Sequence, residues 1–132
     1  MQPAVESLLW YRNAPEQSTF ILKDGDNPYD LTGRTLRLDV RLYPGAAGAP
    51  LLSLGMAATA TAPGFWIDAP TTGTIYLNPP SIAQLAALPV AGEIMTGLLD
   101  TLVYDTLLIA PDGVPEPLME GNIILKSGVT RI

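Results

Sequence analysis

The sequence contains no cysteine and no histidine. Without thiols there is no disulfide framework and no cysteine nucleophile. Without imidazoles there is no Ser-His-Asp triad, and zinc sites lose their usual ligands. Basic residues are also scarce. Seven Lys and Arg stand against thirteen Asp and Glu, for a formal charge of −6. A chain of that sign repels a phosphate backbone, so nucleic acid is excluded as a partner. Long apolar runs are missing too. Residues 42–67 carry no charge, but Pro44, Pro50, Pro63 and several glycines break the stretch. A spanning helix needs about 20 strongly apolar residues without such breakers, so no membrane span is expected. The first residues, MQPAVESLLWYR, lack a basic leader and place Glu6 within their apolar part, so no signal peptide is expected.

What is present suits a folded β protein. Hydrophobic residues make up 48% of the 132 residues and charged residues 15%, which excludes intrinsic disorder and favours one domain, residues 1–132. Thirteen prolines and twelve glycines are scattered along the chain, which suits short strands and opposes long helices. The clearest period lies in RTLRLDVRLY. Leu36, Leu38, Val40 and Leu42 share one face, and Arg37, Asp39 and Arg41 the other. That alternation predicts a half-buried strand with a solvated charged face. Weaker alternation places Phe20 with Leu22, Leu52 with Leu54 and Met56, Phe65 with Ile67, and Ile75 with Leu77. Met119, Ile123 and Leu125 mark a last strand. Turn signals separate them at Asp24-Gly25, Pro44-Gly45, Pro63-Gly64, Asp112-Gly113 and Ser127-Gly128. The residues alone thus predict an all-β sandwich or barrel.

One helix is expected to interrupt the strands. Ser81 and Gln84 have capping-box spacing, Pro79 and Pro80 lie upstream, and Pro89 ends the run after about two turns. The segment GLLDTLVYDTLLIA, residues 97–110, mixes apolar and polar residues on both faces. A strand that changes partner, bulges or is covered on both sides has this pattern.

Candidate chemistry is thin. Asp100 and Asp105 lie five apart on one predicted strand, hence on opposite faces, which defeats a convergent glycosidase pair. In KDGDNPYD, a calcium loop started at Asp24 would have Pro28, Tyr29 and Thr35 where it needs an oxygen ligand, Gly and Glu. A hairpin turn explains these residues better. Residues Gly45–Gly48 lack the Lys and Ser or Thr of a phosphate loop, and there is no nucleophile elbow or glycosylation sequon. No catalytic residue, cofactor or metal is expected. The informative feature is neutrality: from Leu42 to Gly92 the only charged residue is Asp68. Such surface suits burial against other subunits, which predicts an assembly interface and a homo-oligomer.

Two ordered motif sets carry a resemblance. Near the start, FILKDGDNPYDLTGRTLRLDVR contains Asp30-Leu31-Thr32-Gly33 feeding the alternating strand. Near the end stand Tyr104-Asp105, Asp112-Gly113, Leu118 with Gly121, and Val129-Thr130-Arg131. This set resembles the immunoglobulin-like module at the N-terminus of upper baseplate proteins of tailed bacteriophages, and related small virion proteins. The resemblance implies an immunoglobulin-like antiparallel β-sandwich of seven to nine strands with one short helix. It also implies a non-enzymatic structural subunit of the virion that packs against other virion proteins. In the larger proteins a fibre, coiled coil or receptor-binding region follows the module. This sequence ends at Ile132, so a baseplate, tail-fibre adaptor or collar role is expected in place of receptor binding. A capsid-surface decoration protein and a carbohydrate-binding sandwich are the alternatives, with a carboxylate-only hydrolase as the enzyme alternative. Trp10, Tyr11, Phe65 and Trp66 are the interface candidates, because aromatic residues anchor interfaces.

Overall fold

A computed structural model describes residues 4–12, 14–88 and 99–126, the last segment by backbone alone over residues 99–101. The expected Pro89 helix stop, the Ser127-Gly128 turn and Val129-Thr130-Arg131 lie outside the described residues. The alternation in RTLRLDVRLY is realised in β6 (Thr35–Arg41), where Leu36, Leu38 and Val40 are buried and Thr35 and Arg37 exposed. Its two neighbours are β7 (Leu52–Leu54) and β10 (Leu99–Ile109), both antiparallel. Strand β10 turns through Asp112-Gly113 into β11 (Pro115–Lys126), and the Asp112 carboxylate accepts from the Val114 N–H at 3.1 Å.

Over residues 102–109 the mixed pattern resolves into a plain alternation with a bulge on its partner. Leu102, Tyr104, Thr106 and Leu108 face inward and are buried, while Val103, Asp105, Leu107 and Ile109 face out. Between Thr106 and Leu107 the register slips, because Thr106 opposes Met119 and Leu107 opposes Pro117. The extra residue, Leu118, is thereby buried beside Met119. Two consecutive inward residues are what a bulge permits and a regular strand forbids.

The larger sheet ends in an interrupted strand. Strands β1 (Ala4–Val5) and β2 (Leu8–Tyr11) both run parallel to β11 in one register, with Ala4 beside Met119 and Leu8 beside Ile123. The order is β1 and β2, β11, β10, β6, β7. A smaller sheet contains β3 (Ser18–Ile21), β9 (Thr74–Asn78) and β8 (Gly64–Trp66), in the order β3, β9, β8. A two-residue ribbon, β4 (Lys23–Asp24) with β5 (Asn27–Pro28), forms the hairpin expected of KDGDNPYD. After it, the Asp30 carboxylate accepts from the Thr32 N–H at 3.0 Å and hydroxyl at 2.6 Å, which hold it below its ordinary pKa. The protein is all-β with largely antiparallel sheets and one α-helix among the described residues. Both sheets supply one shared core, which includes Trp10, Leu38, Phe65, Ile75, Leu102 and Ile123.

The helix α1 (Ile82–Ala87) carries the chain from the smaller sheet back to the larger one. Its capping box forms as predicted: Ser81 Oγ accepts from the Gln84 N–H at 3.1 Å, and Gln84 Oε1 accepts from the Ser81 N–H at 2.9 Å. Leu85 is its buried anchor, and Arg12 from the end of β2 donates to the Leu85 carbonyl at 2.6 Å. A cation on the last carbonyls satisfies acceptors that a short helix leaves open.

Candidate docking groove and acidic face

The two sheets are joined along one side. Beyond β7, the Gly55 carbonyl accepts from the Phe65 N–H at 2.8 Å, and the Ala57 N–H donates to the Phe65 carbonyl at 2.7 Å. Gly64 makes this approach possible, since a Cβ there would lie 2.5 Å from the Gly55 oxygen. On the opposite side no such link joins β1 to β3 among the described residues. Between these two edges lies a slot of about 400 Å³. Phe20 and Leu22 are its partly accessible apolar lining, over a floor of the core residues Leu36, Phe65, Ile75, Leu118 and Met119, and Glu6 is the only charged one among the described residues that line it.

The register fixes what the β3 edge offers. Phe20 and Ile75 face one another, and the next pair on, Leu22 and Gly73, is hydrogen-bonded at 2.8 Å. Antiparallel pairs alternate, so the backbone groups of Thr19 and Ile21 turn away from β9 toward the open edge. Exposed apolar side chains flank both lips: Val5 is 77% and Ile21 65% accessible.

At the β1 lip, three residues meet. Tyr104 and Gly121 are direct cross-strand partners, and the Tyr104 hydroxyl donates to the Glu6 carbonyl at 2.8 Å. Burial, with the Glu6 charge nearby, pushes the Tyr104 phenol up to about 12. An unfolded tyrosine ionises near pH 10, so the Tyr104 contribution to stability is fully present below about pH 10. It is lost as pH rises from there through about 12. Tyr104→Phe is expected to cost about 1 kcal/mol at neutral pH and to flatten the alkaline decline. Urea midpoints of both proteins from pH 8 to 12 check this, and an equal decline in the variant would contradict it.

The outer face of the larger sheet carries a feature that sequence spacing does not reveal. Asp105 opposes Asp39 on one side and Glu120 on the other, so three carboxylates stand in one row across three strands. Asp39 is engaged by Arg37 Nε at 3.1 Å and Ser53 Oγ at 2.6 Å. Arg41 turns away to donate to the carbonyls of Ala46 at 3.1 Å and Gly48 at 2.7 Å. A shallow depression of about 490 Å³ covers the row and is rimmed by Val5 and Pro44. Asp105 and Glu120 are solvent-exposed, so the row supplies negative charge at an open surface. Like charges directly opposite one another are destabilising. Asp105→Asn is therefore expected to raise stability by about 0.5 kcal/mol at low ionic strength, and less in high salt. Denaturant midpoints at two salt concentrations test it, and a loss of stability would contradict the repulsion.

The four aromatic interface candidates do not form one surface. Trp10 and Phe65 are 2% and 0% accessible, so both are core residues and present nothing to a neighbour. Their burial corrects the expectation for these two, because each occupies the inward position of its strand. Tyr11 and Trp66 are half-buried, on strands of different sheets. Trp66 lies opposite Tyr76 and Tyr76 opposite Thr19, a row across the smaller sheet ending at its free edge. The uncharged stretch from Leu42 is not one surface either, since Leu54, Phe65, Ile75, Leu77 and Leu85 within it are buried. Sequence reasoning also missed Asn78, which is buried. It donates to the Ala60 and Ala62 carbonyls at 2.9 and 2.8 Å and accepts from Gln17 at 2.7 Å, tying down the neutral loop.

Among the described residues, no group of three or more acidic side chains is arranged to hold a metal ion, including those of KDGDNPYD. No described helix is long and apolar enough to cross a membrane. In comparisons with known proteins, no family model matches the chain and no curated protein is significantly similar to it.

Proposed function

We propose that the chain is a non-enzymatic structural subunit of a tailed-bacteriophage virion, acting through protein–protein assembly as a baseplate, tail-fibre adaptor or collar component. The observation that carries the assembly reading is the smaller sheet. None of the residues in β3, β8 and β9 is charged, and the sheet ends at β3 in an edge that is unpaired among the described residues. Proteins that remain alone in solution protect such edges with charges, prolines or cover.

The fold we infer is the immunoglobulin-like sandwich. Its support is strand order, with β11, β10, β6 and β7 on one side and β3, β9 and β8 on the other. That order corresponds to the two sheets of a variable-type domain. The phage assignment rests on the motif residues, which have structural work that suits a shared module. Leu31 is buried behind the Asp30–Thr32 turn, and Tyr104 with Gly121 fastens Glu6. The partners in this reading are other virion proteins and further copies of the chain, and the place of action is the particle.

Mass spectrometry of gradient-purified particles, from the phage or prophage that encodes the chain, tests the assignment. The expected result is the chain at a fixed ratio to tail proteins. Recovery of the chain from the lysate but not from the particles would overturn it.

A further inference from the structure

We propose that the slot between β1 and β3 is a strand-acceptor groove. It takes an extended segment of another protein, apolar on its inward side and basic where it passes Glu6. This rests on the reading of the chain as an assembly subunit and names the kind of partner that one of its surfaces accepts.

The shape of the occupant follows from the lips. Both are strand edges, and the β3 edge presents the backbone N–H and carbonyl groups of Thr19 and Ile21. Successive backbone groups of that spacing are saturated by another extended backbone, as in β-strand addition. A compact ligand would leave most of them unpaired. The chemistry of the side chains follows from the wall. Phe20 and Leu22 of the β3 side are partly accessible and Ala4 of the β1 lip is exposed, above a floor of core residues, so alternate residues of the inserted strand face an apolar surface. An apolar cavity of roughly 150 Å³ holds one benzene, so a slot of about 400 Å³ takes two or three side chains of that size.

Charge decides between partners. Among the described residues the only charged one lining the slot is Glu6, whose side chain is exposed, and the chain as a whole carries −6. A basic residue on the incoming strand meets Glu6 and gains from the long-range field, whereas a second copy of this chain meets like charge. The occupant is therefore a segment of a different polypeptide.

The test uses the full chain and a synthetic hexapeptide of alternating valine and threonine with one terminal lysine. The expected result is saturable binding by calorimetry, with amide exchange at Thr19 and Ile21 slowed at least tenfold. The same peptide with alternate backbone nitrogens methylated should fail to bind. Ala4→Trp, at an exposed position on the β1 lip, should weaken binding at least tenfold while leaving the thermal midpoint unchanged. Glu6→Lys should reverse the preference between the lysine peptide and its glutamate counterpart. Absence of saturable binding, or binding that methylation leaves intact, would overturn the proposal. So would protection of Thr19 and Ile21 that rises with chain concentration alone, which would assign the edge to a second copy. Failure here is distinct from failure of the virion assignment: a chain found in particles with an unreceptive slot docks by another face, and a receptive chain absent from particles serves another assembly.

Discussion

Phe65→Ala is expected to lower the unfolding free energy by about 3–5 kcal/mol, the usual cost of emptying a buried phenylalanine site. The size of the effect follows from position. The ring is fully buried in the core shared by both sheets. Its backbone forms both hydrogen bonds that join the strand continuing β7 to β8. The site has little freedom to collapse, because Gly64 beside it is held against the Gly55 carbonyl and Ile75 and Leu77 are fixed in β9. The cavity term therefore adds to the lost transfer energy. Urea unfolding of the isolated chain measures the effect. A midpoint unchanged by the substitution would return Phe65 to the surface role that its aromatic character first suggests.

Gly121→Ala is expected to cost about 3 kcal/mol or more and to act first on the N-terminal strand. A Cβ at Gly121 would collide with the Glu6 carbonyl oxygen and would lie 2.9 Å from the Glu6 carbonyl carbon. Both are backbone atoms, so relief requires movement of the chain between β1 and β2. That movement also breaks the Tyr104 hydrogen bond to the same oxygen. The expected signature is a lower thermal midpoint, with amide exchange accelerated over residues 4–11 beyond the change elsewhere. Gly55→Ala serves as the control, because a Cβ there meets nothing within 4 Å. Equal effects of the two substitutions would show that the N-terminal strand is not pinned at Gly121.

The residues that fasten the N-terminal strand and those that frame the slot differ in how far the sequence discloses them. Local rules disclose β6, the Asp112-Gly113 turn and the Ser81–Gln84 capping box, since each is set by neighbours within a few residues. The bulge is half-legible: the mixture of residues 97–110 signals an irregularity, but the extra residue belongs to the partner strand, at Leu118. The row of Asp39, Asp105 and Glu120 is not legible, because it depends on the registers of two strand pairs. Facing is equally a matter of register. Trp10 and Tyr11 are adjacent aromatics, yet only Trp10 reaches the core. The slot is invisible to composition for a related reason. Its β3 lip lies outside the uncharged stretch that begins at Leu42, and the sheet that unites β3 with β8 and β9 forms only through tertiary pairing.

Assembly through an open sheet edge is the central claim, and amide exchange compares its two states directly. Exchange at Thr19 and Ile21 is measured on the purified chain and on the chain within intact particles. The expected result is rapid exchange in the free chain and strong protection in the particle, with the core amides of Leu38 and Leu102 alike in both. Equal exchange at Thr19 and Ile21 in the two states would contradict it, since an edge that assembly leaves bare is not where the subunit docks.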